Sequence, residues 1–288
     1  LHKIDMHLRK NKTKGIAIDG VPIRKASELF GLIHFVFFSP EDLSIIKNGP
    51  AERRHFLDSE LCQLDKVYLY QLSNYNKVVL QRNKLLKELY LHPDYREVLD
   101  VLDMQLVQYG SALIQRRQTF AEELGEIVHR IHSQLSGGQE EMELKYEPNV
   151  TVDAFAQMLF ANRERDMRLK TTATGPHRDD ISFVVNGVDI RKFGSQGQQR
   201  TAALSLKLSE IELVKRLIGD TPVLLLDDVL SELDSGRQNY LLNSIENIQT
   251  LITCTGLDEF VNHRFSINRI YKVTDGSVTV ENKQEADR

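Results

Sequence analysis

Apolar and polar positions change period several times along the chain, and each change marks an element. Ile16-Ala17-Ile18, Asp19-Gly20 and Val21-Pro22-Ile23 form a strand, a two-residue turn and a strand, because Asp-Gly supplies the positive φ angles of a type I′ turn. Ile33 to Phe38 is a continuous apolar run and predicts a buried strand, ending at Ser39-Pro40-Glu41-Asp42-Leu43, where proline and the acids can open a short helix. From Arg53 to Tyr90 the positions Leu57, Leu61, Leu64, Tyr68, Leu72, Tyr75 and Val79 step by three and four, the spacing of one face of a single long helix. Leu91-His92-Pro93-Asp94 breaks that helix, since proline lacks the amide donor. A second periodic stretch carries Leu99, Leu102, Leu106, Tyr109, Leu113, Phe120, Leu124, Ile127, Ile131 and Leu135 on one face. Two helices of about 37 residues, each about 55 Å long, make an antiparallel arm if they pack together, and Gly110 is a point where it could bend.

Thr151 to Lys170 predicts another amphipathic helix, with Phe155, Met158, Leu159 and Leu169 inward and an Arg-rich end outward. Thr174 to Asp180 is a polar loop holding His177, Arg178, Asp179 and Asp180, which composition allows to be either a solvated turn or a site. It feeds a second hairpin, Ile181 to Val185, Asn186-Gly187, Val188 to Ile190. Gly194 to Thr201 precedes a helix in which Leu204, Leu208, Ile211 and Val214 share a face. Val223-Leu224-Leu225-Leu226 runs straight into Asp227-Asp228, the pattern of a buried parallel strand whose C-terminal tip opens on a site.

The bulk numbers leave this picture standing and remove others. The 288 residues suffice for two domains or for one with a large insertion, and 41% apolar with 27% charged residues is ordinary globular composition. No apolar run approaches the roughly 20 residues of a membrane helix, and nothing resembles a signal peptide, so no membrane partner and a cytoplasmic location are expected. Cys62 and Cys254 have no metal-type spacing and read as free thiols. A net charge of −4 argues against coating nucleic acid through overall basicity, so any DNA contact must come from local patches. Candidates are His2 to Lys14, Arg53 with Arg54, and Arg163, Arg165, Arg168 and Lys170, each of which also reads as a solvated face. The opening Leu1-His2-Lys3 suggests the later part of a longer protein.

Candidate chemistry concentrates near residues 194 to 234. Carboxylates at a strand tip are hard oxygen ligands for Mg²⁺, and a second one can orient a water toward a phosphoryl group. Small residues at a helix N-terminus leave amides free at the positive end of the dipole, which suits a phosphate, although a flexible loop with an N-cap serine fits the same letters. Leu135-Ser136-Gly137-Gly138-Gln139 spells the signature pentapeptide of ABC-type ATPases, yet it ends a helix far ahead of the acidic strand and reads as a glycine-rich C-cap.

Gly194 to Thr201, Val223 to Asp228 and Ser231-Glu232-Leu233-Asp234 resemble the signature, Walker B and D-loop motifs of an ABC-type ATPase head of the SMC kind. Together with Phe38 to Leu43, Gly49-Pro50 with Arg53 to Asp58, and Gly175 to Asp180, they resemble the RecF family of bacterial DNA replication and recombinational repair proteins, from about residue 30 to residue 260. The resemblance implies an α/β fold, a mixed-sheet P-loop ATPase head of ABC/SMC type with an inserted helical arm. Its expected division is a remnant of the N-terminal lobe over residues 1–58, the arm over 59–170 and the C-terminal lobe over 171–288. It implies ATP and Mg²⁺ as cofactors, Asp227 on the metal and Asp228 polarising the attacking water. Ser195, Gly197 and Gln198 would reach across a dimer to the γ-phosphate held by the partner, with Asp234 at that interface. Thr255 falls where other ABC enzymes carry a switch histidine, and a threonine there offers only a neutral hydrogen bond.

The implied function is an ATP-dependent homodimeric clamp on single-stranded and gapped DNA, working with RecO and RecR to load recombinase, with hydrolysis releasing the DNA. No Gly-x-x-x-x-Gly-Lys-Ser/Thr occurs in the 288 residues, so weak ATP binding by this chain alone is expected. The alternatives are another SMC-like or ABC head, and a non-catalytic DNA or protein interaction module.

Overall fold

A computed structural model describes residues 2–8, 10, 15–88, 96–255 and 267–281. The chain opens with a three-stranded antiparallel sheet, β1 (Ile4–His7), β2 (Gly15–Ile18) and β3 (Val21–Ile23). Asp19 and Gly20 join β2 to β3 with φ of 51° and 81°, both left-handed, as the type I′ turn requires. β4 (Phe35–Phe38) leads to α1 (Leu43–Lys47), α2 (Pro50–Leu64) and α3 (Lys66–Glu88).

The single helix expected from Arg53 to Tyr90 is two helices where it is described. Asp65 is extended, and its Oδ1 accepts from the amides of Val67 at 2.8 Å and Tyr68 at 3.0 Å. The carboxylate therefore starts a new helix without disturbing the apolar period on either side. Leu91 to Asp94 lies outside the described residues. α4 (Arg96–Leu135) is one helix of 40 residues. Gly110 lies within that continuous helix, and a Cβ there would come within 2.5 Å of the Phe155 ring and 2.9 Å of the Tyr75 ring, so its role is close approach.

After α4 come β5 (Met142–Glu147), α5 (Val152–Ala161), α6 (Arg163–Leu169), β6 (Asp180–Val185) and β7 (Val188–Asp189). β5, β6 and β7 form an antiparallel sheet, turned at Asn186-Gly187 with φ of 48° and 80°. The helix expected over Thr151 to Lys170 breaks at Asn162. Phe155 and Leu159 are buried, but Met158 and Leu169 are exposed, and the inward position on α6 belongs to Asp166. Its carboxylate accepts from Arg82 at 2.7 Å, so an ion pair takes the place that an apolar period would assign to leucine.

α7 (Ile190–Phe193), α8 (Gln196–Ile218), β8 (Val223–Asp227), α9 (Ser235–Ser244), β9 (Thr250–Thr253), β10 (Ile270–Thr274) and β11 (Ser277–Glu281) complete the order. β8 is the middle strand of a parallel sheet, β4-β8-β9. Val36, Phe38, Leu224 and Leu226 are buried on one face, whereas Phe35 and Phe37 alternate with them and are 41% and 48% exposed. The apolar run at β4 is thus buried on one side only.

α8 is buried on all sides from Thr201 to Glu210 and forms the centre of the core. Lys207 lies within it, 2.6 Å from Glu210 and 3.9 Å from Asp42. Two further buried ion networks pin the arm helices. Arg82 joins Asp103 to Asp166, and Arg117 joins Asp58 to Asp179.

Candidate functional site

Ser195 caps α8 in the extended conformation. Its Oγ accepts from the Gln198 amide at 3.2 Å, and its own amide donates to Gln198 Oε1 at 3.0 Å, a reciprocal capping box. Ser195, Gln196 and Gly197 are exposed, so the unpaired first amides of a 23-residue helix sit at an accessible surface with the positive end of its dipole. Gly197 has only Ser195 Oγ near a would-be Cβ, at 3.9 Å, which leaves the backbone open to a ligand. Gly194 is required for packing, since a Cβ would lie 2.5 Å from the Ile190 carbonyl.

Asp227 ends β8 with an exposed side chain, and its Oδ1 accepts from the Thr253 hydroxyl on β9. Asp228 has φ of 52°, a conformation that costs a non-glycine residue about 1 kcal/mol. It is held there from two sides. Its amide donates to the Thr253 carbonyl at 3.1 Å, and its carbonyl accepts from Ser231 Oγ at 2.8 Å. Parallel pairing to β4 and β9 therefore delivers two adjacent carboxylates to a turn whose backbone is fixed.

Asp234 caps α9, accepting from the Arg237 amide at 3.0 Å, and this bond holds its carboxyl below the ordinary carboxylate range. The Arg237 guanidinium bonds Asp234 at 2.5 Å and reaches Thr201 Oγ1 at 2.6 Å, while that hydroxyl donates to the Gly197 carbonyl at 2.8 Å. One arginine thus connects the Asp234 turn to the first turns of α8. Thr255 is exposed and lies two residues beyond the end of β9, which stops at Thr253 and not at Thr255. The structure brings Asp227 and Asp228 together at one strand tip and links Asp234 to Gly197, and it shows no contact of Thr255 with either group.

Beside these turns is an open pocket lined by Phe38, Ser39, Asp42, Arg200, Leu204 and Val229, among others. Burial raises the Asp42 carboxyl above its ordinary pKa and pushes Glu60, behind it, up to about 7, with Lys207 opposing both shifts. Among the described residues no three His, Cys, Asp or Glu side chains are grouped to cage a metal ion. Asp227 still fits Mg²⁺, because it is an exposed oxygen donor with one oxygen engaged, and Mg²⁺ is commonly held by one or two carboxylates plus substrate phosphates and water.

Arg53, Arg54 and Arg163 of the expected basic patches are otherwise employed, whereas Arg165, Arg168 and Lys170 are exposed. Arg53 is buried, with Nε 2.6 Å and Nη2 3.0 Å from the Asp180 carboxylate, and Arg54 donates to the Asp179 carbonyl at 2.7 Å. Arg163 pairs with Asp100 and Asp103 and stacks on Phe160. The Thr174 to Asp180 loop is a structural hub. Asp179 takes Arg117, Tyr146 and the Asn149 amide, and burial pushes the His177 imidazole down to about 4. Glu140, which accepts from Gln198 Nε2 at 2.8 Å, and Arg237, which reaches Thr201, have no motif or spacing to announce them; only the fold brings them to the start of α8. Cys62 is a buried thiol and Cys254 an exposed one. No helix among the described residues is long and apolar enough to cross a membrane.

No family model matches the chain. The DNA replication and repair protein RecF of Lachnospira eligens is 62% identical over 283 residues, which is 98% of this chain and 78% of that protein. The protein of the same name from Clostridium perfringens is 42% identical over 96% of the chain and 77% of its own length. Among solved structures, the recombination mediator protein RecF with ATP, of the RecFOR pathway, superposes with a TM-score of 0.88 at 35% identity over 98% of this chain and 76% of that one. The Smc head domain from Pyrococcus furiosus, at 14% identity, a TM-score of 0.50, and coverage of 96% of this chain and 71% of that one, shares the fold. With an α/β head, a helical arm and an identity of this size over nearly its whole length, the chain belongs to the RecF family of DNA replication and repair proteins.

Proposed function

We propose that the chain carries half of a composite ATP site in a DNA-binding clamp of recombinational repair. The observation that carries this reading is the exposed N-terminus of α8, with Ser195 and Gly197 at an accessible helix end and Asp234 tied to it through Arg237 and Thr201. Such an end stabilises an anion by free amides and dipole together. It faces away from the buried helix body and so suits a phosphate delivered by another molecule. In this reading two heads enclose two ATP molecules, and Ser195, Gly197 and Gln198 of one head reach the γ-phosphate bound by the other. Mg²⁺ would be held by Asp227, where it would offset phosphate charge, and Asp228 would hold and orient the attacking water.

The clamp would engage single-stranded and gapped DNA in the cytoplasm, helping RecO and RecR to load recombinase, with hydrolysis opening it. The RecF names of the relatives and the RecF–ATP structure support this choice. The absence of a Gly-x-x-x-x-Gly-Lys-Ser/Thr segment from these 288 residues supports a further expectation, that the chain alone binds Mg-ATP poorly. Micromolar affinity by isothermal titration would refute that expectation. Asp228→Asn, in the protein expressed from its complete reading frame, is expected to hold the ATP-bound dimer and slow hydrolysis about 100-fold or more. Unchanged ATPase activity would remove Asp228 from its role.

A further inference from the structure

The Leu135 to Gln139 run has no part in the nucleotide reading, yet the segment it starts is bonded to the turn that does. Gly137 and Gly138 reverse the chain after α4, with φ of 65° and 76°. Ser136 fixes the reversed segment, its Oγ 3.1 Å from the Ser133 carbonyl it donates to and 3.1 Å from the Glu140 amide it accepts from. Glu140 is thereby placed with its two oxygens on two partners. Oε1 accepts from Gln198 Nε2 at 2.8 Å, and Oε2 lies 3.1 Å from His132 Nε2. His132 is fully buried, and its Nδ1 lies 2.9 Å from Ser205 Oγ, further along α8.

Gln198 is held at both ends of one amide: its Oε1 accepts from the Ser195 amide at 3.0 Å, and its NH₂ donates to Glu140. A flipped amide would set NH₂ against the Ser195 N–H and oxygen against the carboxylate, losing both bonds. Glu140 therefore selects the amide orientation that closes the capping box.

We propose that Glu140 is a positioning residue for the Ser195–Gln198 turn, holding the Gln198 amide so that Ser195 and the first amides of α8 keep the geometry a partner's γ-phosphate meets. It also ties that geometry to the C-terminal end of α4, so the long helix and the phosphate-facing turn move as one. The inference rests on the proposed composite ATP site for its consequence and on the hydrogen-bond geometry for its mechanism.

Two substitutions separate positioning from charge or bulk stability. Glu140→Gln can keep the brace: its oxygen accepts from Gln198, its NH₂ donates to His132 Nε2, and His132 changes tautomer to donate from Nδ1 to Ser205 Oγ, whose proton goes to the Thr201 carbonyl 2.7 Å away. Glu140→Ala cannot. In the protein from the complete reading frame, assayed well below its Tm, Glu140→Ala is expected to lower kcat about tenfold with KM for ATP unchanged and, because the buried His132 Nε2 loses its partner, to lower Tm, whereas Glu140→Gln retains wild-type kcat. In the same protein without nucleotide, amide hydrogen exchange at Ser195 is expected to accelerate in Glu140→Ala and not in Glu140→Gln. Wild-type kcat in Glu140→Ala, or an unchanged Ser195 exchange rate, would overturn the inference. A wild-type protein without ATPase activity would instead count against the composite site, and the exchange measurement would still decide the positioning claim.

Discussion

Two turns of this chain are written with serine, glycine and glutamine, Leu135–Gln139 and Gly194–Gln198, and they sit at opposite ends of helices. The first closes α4. Gly138 donates to the Ser133 carbonyl at 2.8 Å and Gly137 to the Gln134 carbonyl at 3.2 Å, the double bond of a Schellman C-cap. The negative end of the helix dipole lies there, and its last amides are already spent on the cap, which disfavours a phosphate. The second opens α8, where amides and the positive end face outward and the serine is a cap. The letters of the ATPase pentapeptide therefore stand at the turn whose physics is wrong for a phosphate, and the turn whose physics is right carries a looser spelling.

The difference can be pressed by substitution. Gly194→Ala places a methyl against the Ile190 carbonyl and is expected to cost about 1–3 kcal/mol, read as a lower urea midpoint. Gly138→Ala puts a side chain at φ of 76° and is expected to cost about 1 kcal/mol of stability with no change in nucleotide handling. Ser195→Ala removes a cap worth about 1 kcal/mol and, unlike Gly138→Ala, should also weaken ATP-dependent association. Gly197→Ala sharpens the contrast most. Its Cβ has open space within a helix, so stability should rise by about 0.5–1 kcal/mol while association falls. A rise in both would show that nothing approaches that backbone.

Acid offers a smaller perturbation of the link between the turns. Burial lowers the His132 pKa, with the Glu140 carboxylate opposing that shift and Arg237 and His129 adding to it. The folded state therefore binds fewer protons than the unfolded one below the ordinary histidine value. This part of the stability is full above about pH 6.5 and is lost as pH falls through the depressed folded value. His132→Gln should flatten that stretch of the stability–pH curve. The same sign holds for His177, whose folded value is about 4.

Much of this is legible in the sequence itself. Asp19-Gly20 and Asn186-Gly187 announce their turns because the φ requirement is local. Val223 to Asp227 is legible because a parallel strand buried between neighbours leaves a continuous apolar run. The break at Asp65 was hidden, since a cap formed by one carboxylate leaves the apolar period intact on both sides. Arg53 read as a surface charge because its partner, Asp180, is distant in sequence and no local pattern records the pair. In the site, the strand tip and the α8 cap were legible as local chemistry. The Arg237–Thr201 and Glu140–Gln198 bonds were not, because they exist only where separate elements meet.

The most direct test of a composite site is sedimentation of the protein from its complete reading frame with Mg-ATP, wild type against Ser195→Arg. Arginine at the helix end would fill the space in front of the first amides while leaving the protein's own nucleotide site untouched. Wild type is expected to dimerise with ATP, and Ser195→Arg to bind ATP with unchanged affinity yet remain monomeric. An ATP-dependent dimer formed equally well by Ser195→Arg would contradict the assignment of the α8 turn to the partner's phosphate.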